Sequence, residues 1–405
     1  MKKSEKRQPK TLYFDYAATA QISHAAKKAM DLAYGGNFGN PGSVHGFGMR
    51  SMSLLDEARE TIAEVAGGEF KGVIFTSSAT EANNLFLKGI VKKYARRART
   101  ENIGLPAKLV ISYSEHESVE QTAEKLSEEG TEVVRVPVKK NGKIDLKALG
   151  ESITGRTVAV SLIFTNNETG AVNDIKKAAK IISEKRAGGI YPLFHVDASQ
   201  SLQYEDCSFQ ATGADAITIS SHKIGGPKGA GALVFREADK VKLLEPQTHG
   251  GGQELGMRSG TENVPAIAGF AAAAGEAVKI RKAEARRVME LKKSLFKKIT
   301  KVSPRAKANG PEPEKGSPHI LNVWLPGMPA ETAVVAMDME GIAVSYGSAC
   351  SARAFRPSRA VKALGYPESR ARESIRISLG RETKAEDIRR FGAVFKKIWH
   401  NFNNA

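Results

Sequence analysis

From about residue 72 onward, short apolar runs alternate with longer stretches of helical period, the pattern by which βα units of a mostly parallel sheet are read. The predicted strands are GVIFTSS (72–78), KLVISYSEH (108–116), VAVSLIFTNN (158–167), YPLFHVDAS (191–199), DAITISSHK (215–223) and GALVFR (231–236). Each of the first five runs straight into polar residues. In open α/β sheets ligands bind beyond the carboxyl ends of the strands, so Ser77, His116, Asn167, Asp197 and Lys223 are expected to converge on one crevice although they lie far apart in the chain.

Between 264 and 302 the pattern turns helical. It is first small and apolar (VPAIAGFAAAAGEA), then amphipathic, with Val288, Leu291, Leu295 and Ile299 at spacings of three and four. This stretch is expected to connect two domains. After a break rich in Pro, Gly and Glu at 309–318 a second unit follows: strand HILNVWL, helix AETAVVAMDM, strand IAVSY, a loop carrying a cysteine, a helix near 357–364, strand SIRISL and a last helix from about 383 to 399. The expected fold is α/β, with a large domain (16–262) built on a mostly parallel central sheet. A smaller α+β domain (1–15 and 263–405) carries the cysteine loop, about 346–358. The chain shows no internal repeat and no long low-complexity segment.

Composition adds limits rather than a function. A length of 405 residues fits two domains, and 41% hydrophobic residues can build their cores without disulfides. Cys207 and Cys350 match neither a CxxC nor a zinc spacing, so no disulfide framework and no metal site is indicated, and a reducing, cytoplasmic setting is expected. MKKSEKRQPK at the start lacks the apolar core of a signal peptide, and no run reaches the roughly 18 apolar residues of a membrane helix. A formal charge of +17 raises nucleic acid, acidic proteins and phosphorylated ligands as partners. The basic residues are dispersed over the N-terminal tail, 92–99, 279–301 and 353–381, with no RNA-binding aromatic motif beside them. They read as solvated helix faces, and nucleic acid is not expected as a partner.

The candidate chemistry begins in ISSHKIGGPKGAG (219–231), where Lys223 follows an apolar strand beside Ser220, Ser221 and His222 and precedes a glycine-rich turn. A strand-end lysine by itself simply reaches solvent. Here the hydroxyls and imidazole beside it suit a phosphate, and lysine forms Schiff bases with aldehydes when its surroundings lower its pKa. At the end of an earlier strand stands Asp197, which alone reads as a helix cap, a task Ser199 could equally perform. An enzyme using pyridoxal phosphate (PLP) needs both groups: a lysine for the aldehyde and a carboxylate to keep the ring nitrogen protonated. In TSSATEANNLFLKGI (76–90) a strand runs into a helix start, where the amides of Ala79 and Thr80 would face an anion; an ordinary capped helix reads the same way.

YFDYAATA (13–20), FGNPGSVHGFG (38–48), FTSSATEANNL (75–85), SEHESV (114–119), NNETGAV (166–172), HVDASQS (195–201), SSHKIGGPKGAG (220–231), GGGQELGMRSGTENVP (250–265), GSACSA (347–352) and SIRISLGR (374–381) occur in the order shown by cysteine desulfurases of the class V aminotransferase group. The chain resembles that family over nearly its whole length, and ten motifs in register make the resemblance specific. It implies a PLP enzyme with Lys223 as the Schiff-base lysine, Asp197 on the pyridine nitrogen and His116 stacked on the ring. Asn167 and Gln200 would lie near the ring oxygen, and Ala79, Thr80, Ser220 and His222 would seat the phosphate. Thr261 would reach the phosphate of a neighbouring subunit, which implies a homodimer; Lys223 and His116 would be catalytic, and Arg376 would clamp the substrate carboxylate, with Asn167 also binding the substrate.

Cys350 stands among Gly, Ser and Ala with Arg353 and Arg356 nearby, a setting that favours an exposed, stabilised thiolate; Cys207 reads as a small buried hydrophobe. The implied reaction converts L-cysteine to L-alanine, leaves the sulfur as a persulfide on Cys350, and delivers it to an acceptor protein in iron–sulfur cluster or thiolation pathways. The SxCS loop resembles the desulfurase type whose cysteine rides on a long mobile loop. Alternatives are a selenocysteine lyase or another class V enzyme on the same cofactor seat and, from a different class, a basic sulfur-relay or RNA-modification partner. Two departures stand out: Ala20 and Gln21 replace the family's usual Thr and Pro, and the end of the chain, KKIWHNFNNA, does not match the tail that some members use to dock an iron–sulfur scaffold.

Overall fold

The computed structural model describes residues 11–101, 106–347 and 357–404. The chain forms two compact units. The larger comprises Thr19–Asn167 and Ala171–Ala283; the smaller comprises the residues up to Ala18, Glu168–Gly170 and those from Glu284 onward.

The chain opens with a two-residue strand, β1 (Leu12–Tyr13), which belongs to the smaller unit. The larger unit is built on a seven-stranded sheet: β2 (Val73–Thr76), β3 (Lys108–Ser112), β4 (Glu132–Val136), β5 (Thr157–Ile163), β6 (Leu193–Asp197), β7 (Ala216–Ser220) and β8 (Gly231–Phe235). Their order across the sheet is β2-β8-β7-β6-β5-β3-β4. From β4 to β7 all neighbours are parallel, while β8 runs antiparallel to both β7 and β2. The mostly parallel sheet expected from the apolar runs is present, and all six predicted strands belong to it. The pattern did not announce β4. It is a half-buried edge strand, EVVRV, in which charged residues flank the valines, so it lacks the continuous apolar run of its buried neighbours.

Parallel strands are buried on both faces, and here two apolar layers cover them. Val110, Val160, Phe194, Val196 and Ile217 pack with Leu55, Ile62 and Phe270 on one side. Leu109, Ile111, Ala159 and Leu193 pack with Leu85, Phe86, Val119 and Leu126 on the other. Successive strand residues alternate in direction. His195 and Asp197 therefore share the face of Leu193, beneath the helix Ala79–Thr100, and Phe86 of that helix stacks on the His195 ring at 4.4 Å.

The smaller unit holds a three-stranded antiparallel sheet of β9 (Lys307–Ala308), β10 (Ile320–Trp324) and β12 (Ser374–Ser378), together with a parallel pair of β1 and β11 (Ile342–Ala343). A row of rings, Phe14, Phe391, Phe395 and Trp399, runs along its final helix, Ala385–Asn403. The predicted helical stretch is one helix, Val264–Val302, and contributes residues to both units. Among the described residues no helix is long and apolar enough to cross a membrane.

A buried ion pair ties the helix Gly46–Ala66 to the sheet edge. Both oxygens of Glu254 meet the Arg59 guanidinium at 2.7 and 2.9 Å, Glu254 also accepts from the Phe75 amide at 2.7 Å, and Arg59 donates to the Val73 carbonyl at 2.7 Å. Glu254 holds this place with a left-handed backbone, φ 48°. Truncating it strands a buried guanidinium, so Glu254→Ala is expected to lower unfolding stability by about 3–5 kcal/mol in urea denaturation. Arg59→Met combined with Glu254→Leu should recover much of that loss; equal stability of Glu254→Ala and wild type would contradict the assignment.

Candidate active site

The sheet's carboxyl edge gathers the predicted residues of the larger unit. Asp197 is the last residue of β6 and is buried. Lys223 closes the short 3-10 turn Ser221–Lys223 that leaves β7. His116 caps the helix Glu117–Glu128 after β3. Asn167 follows β5 and Gln200 follows β6, both buried. Ala79 and Thr80 open the helix that follows β2, with Ser78 as its cap. Arg376 is buried on β12 of the smaller unit, where its Nη2 donates to Asp15 Oδ1 at 2.8 Å and its backbone exchanges hydrogen bonds with Ser345. Cys350 lies outside the described residues.

Burying a carboxylate is costly unless donors meet it. Three do so at Asp197: the Ser199 amide (3.0 Å) and hydroxyl (2.5 Å) on Oδ1, and Asn83 Nδ2 (2.9 Å) on Oδ2. Asn83 Nδ2 also lies 2.9 Å from Ser118 Oγ, which is 2.8 Å from His116 Nδ1. Asp197 and His116 are thus joined through two side chains that the sequence motifs did not single out. Asn83 is four residues into the helix start in ATEANN, hence on its first inward turn; Ser118 is two residues beyond the capping histidine.

The neighbouring titratable groups are held uncharged by burial. Behind Asp197, His195 is pushed down to about 4 by burial, against the pull of the Asp197 charge. Its ring is pinned between Ser161 Oγ (2.8 Å) and Thr218 Oγ1 (2.9 Å). Burial also pushes His116 below its ordinary value; Asp197 acts upward on it and Lys223 downward, so the three groups share one electrostatic site. His222, 3.2 Å from Thr19 Oγ1, is pushed to about 4 by burial and by Lys223 and Lys228. Glu115, the residue before His116, is a further buried acid that the sequence reading passed over. Burial raises it to about 8, against hydrogen bonds from Ser112 Oγ (2.5 Å) and the Ile163 amide (3.0 Å).

At the helix start the Ser78 hydroxyl takes the Glu81 amide, and intrahelical bonds leave the first-turn amides of Ala79 and Thr80 available to an anion. Gly231 passes so close that a Cβ there would lie 2.7 Å from the Ser78 carbonyl carbon, which accounts for the glycine opening β8. Glu81 is buried enough to be pushed up, yet hydrogen bonds from Ser77 and Arg258 hold it below its ordinary value. A cavity of about 310 Å³ opens among Thr76, Ser77, Gly229, Arg258, Thr261 and Asn263.

This donor set fits PLP. It offers an amine for the aldehyde, a donor-clamped carboxylate for the ring nitrogen, a flat imidazole, and helix amides with hydroxyls for the phosphate. No cluster of metal-ligating side chains occurs among the described residues.

The raised Glu115 gives a pH test. The folded chain keeps its proton up to about pH 8, whereas the unfolded chain releases it near 4.5. The contribution to stability is therefore fully present below about pH 4.5 and fades as pH climbs through 8. Glu115→Gln carries no titrating group, so its unfolding midpoint is expected to fall less steeply between pH 5 and 8 than that of the wild type. Identical slopes would show that Glu115 does not titrate in this window.

A family model, aminotransferase class V, matches residues 12–391. The cysteine desulfurase IscS 1 of Archaeoglobus fulgidus is 38% identical over 386 residues, covering 95% of this chain and 96% of the relative. Among solved structures, a NifS-like protein superposes with a TM-score of 0.87 at 30% identity, covering 98% of this chain and 100% of its own. SspA, solved in complex with cysteine, gives 0.76 at 29% identity over 91% of this chain and 99% of its own. The chain belongs to the class V aminotransferase family and, within it, to the cysteine desulfurases, which are PLP-dependent enzymes.

Proposed function

We propose that this enzyme removes the sulfur of L-cysteine and passes it, by way of Cys350, to an acceptor protein. The observation that carries the reading is the joining of His116 to Asp197 through Ser118 and Asn83, in a site whose electrostatics also involve Lys223. A relative solved with cysteine supports the choice of substrate.

Bound PLP supplies the electrophilic carbon and the electron sink. Asp197 would keep the proton on the ring nitrogen, and His116 would lie against the ring. Asn167 and Gln200 orient the ring oxygen, while Ala79, Thr80, Ser220 and His222 hold the phosphate. Lys223, the residue that would hold the cofactor's aldehyde carbon, would take the α-proton of the substrate. Arg376 grips the substrate carboxylate, a task suited to a planar two-pronged cation.

The Cys350 thiolate then attacks the substrate sulfur. A sulfur–sulfur bond would form, the carbon–sulfur bond would break with its electron pair left on the β-carbon, that carbon would take a proton, and Lys223 would return a proton to the α-carbon before L-alanine leaves.

The working form in this reading is a cytoplasmic homodimer in which Thr261 reaches the partner's phosphate seat. Most of the formal +17 falls in the smaller unit, the one whose sequence contains Cys350, which supports an acceptor with an acidic surface.

Cys350→Ala is expected to keep the absorbance of bound cofactor while alanine and persulfide formation fall at least about 100-fold, as for loss of a nucleophile. Full sulfur transfer by Cys350→Ala would remove Cys350 from the role.

A further inference from the structure

The hydrogen bonds around Asn83 run in one direction only, and that direction fixes where a proton sits. Asn83 is fully buried in the helix Ala79–Thr100. Its Nδ2 is 2.9 Å from Asp197 Oδ2 and 2.9 Å from Ser118 Oγ, so both amide hydrogens have takers. The amide cannot be the other way round, because its oxygen would then face an acceptor-only carboxylate. The Ser118 hydroxyl is 2.8 Å from His116 Nδ1, and the Ser118 backbone amide donates to the same nitrogen at 3.1 Å. A backbone N–H cannot accept. Nδ1 must therefore be bare, and the Ser118 hydroxyl, which accepts from Asn83, directs its single hydrogen to His116.

We propose that Asn83 is a positioning residue which, through Ser118, fixes His116 as a neutral imidazole with its proton on Nε2, while its second N–H holds Asp197 in place. The functional meaning rests on His116 and Asp197 being cofactor-holding groups. Adding a proton at Nδ1 would break the backbone bond and force the Ser118 hydroxyl to turn. The charges acting on the ring are Asp197 and Glu117, which favour protonation, and Lys223, which opposes it; burial opposes it more than any of these acts. His116 then serves as a flat hydrogen-bond donor rather than a base, and proton transfer at the substrate falls to Lys223.

The test is solid-state nitrogen-15 NMR of holoenzyme labelled at the histidine nitrogens and followed over pH, with His116 assigned by its loss in His116→Gln. The wild type should show a bare Nδ1 and a protonated Nε2 at neutral pH. Asn83→Ala and Ser118→Ala should each raise the pH at which His116 takes its second proton, since both weaken a bond made only to the neutral ring. Asn83→Ala should also lower kcat by about 10–100-fold, the cost of a lost hydrogen bond to a charged group, and combining the two changes should cost less than their product. A protonated Nδ1 in the wild type would overturn the proposal. So would an Asn83→Ala enzyme that is less heat-stable but has an unaltered His116 titration. If Asn83→Ala does not fold, Ser118→Ala decides by the same titration. Failure of the wild-type protein to retain PLP would count against the cofactor seat, whereas the His116 tautomer is read independently of it.

Discussion

A carboxylate buried at the end of a central strand is the constraint to which the rest of the larger unit responds. Asp197 sits where β6 leaves the sheet, on the face covered by the helix Ala79–Thr100, and meets its donors there: Ser199 from its own turn and Asn83 from the helix above. Without those donors the burial would be prohibitive. With them, the carboxylate is held in one position and can hold a ligand's nitrogen in turn. The same contact locks the helix to the strand, so the amides that open the helix are placed relative to the carboxylate by one side chain.

Around that carboxylate the protein keeps other titratable groups from competing with it. His195 lies two residues earlier on the same strand face and is locked between hydroxyls of β5 and β7. Glu115 is tied to the ends of β3 and β5 and is raised to about 8. The effect is a site in which burial biases His116, His195 and Glu115 toward their uncharged forms. This accounts for why such polar strand ends are tolerated in a core of β-branched and aromatic residues.

Much of this was legible in the sequence because a ligand edge in an α/β sheet leaves a local mark: an apolar run that stops abruptly at a polar residue. Asp197, Lys223 and His116 each carry it, and the helix Val264–Val302 follows the spacing of Val288, Leu295 and Ile299. What stayed hidden lacks a local mark. β4 is an edge strand with charges among its valines. Asn83 and Ser118 are ordinary helix residues until the fold brings them to Asp197 and His116, and Glu115 becomes a raised acid only because the fold buries it, the amide of Ile163, distant in the chain, offsetting part of that burial. Arg376 belongs to the smaller unit, and Cys350, outside the described residues, is marked by its sequence setting among Gly, Ser and Ala.

The central proposal is that Lys223, which acts with Asp197 on His116 in one electrostatic site, is the residue that anchors the cofactor. Reducing the purified holoenzyme with borohydride and mapping the modified peptide by mass spectrometry tests it directly. The account predicts the reduced cofactor on Lys223 alone. Cofactor mass on another lysine, or on none, would contradict it.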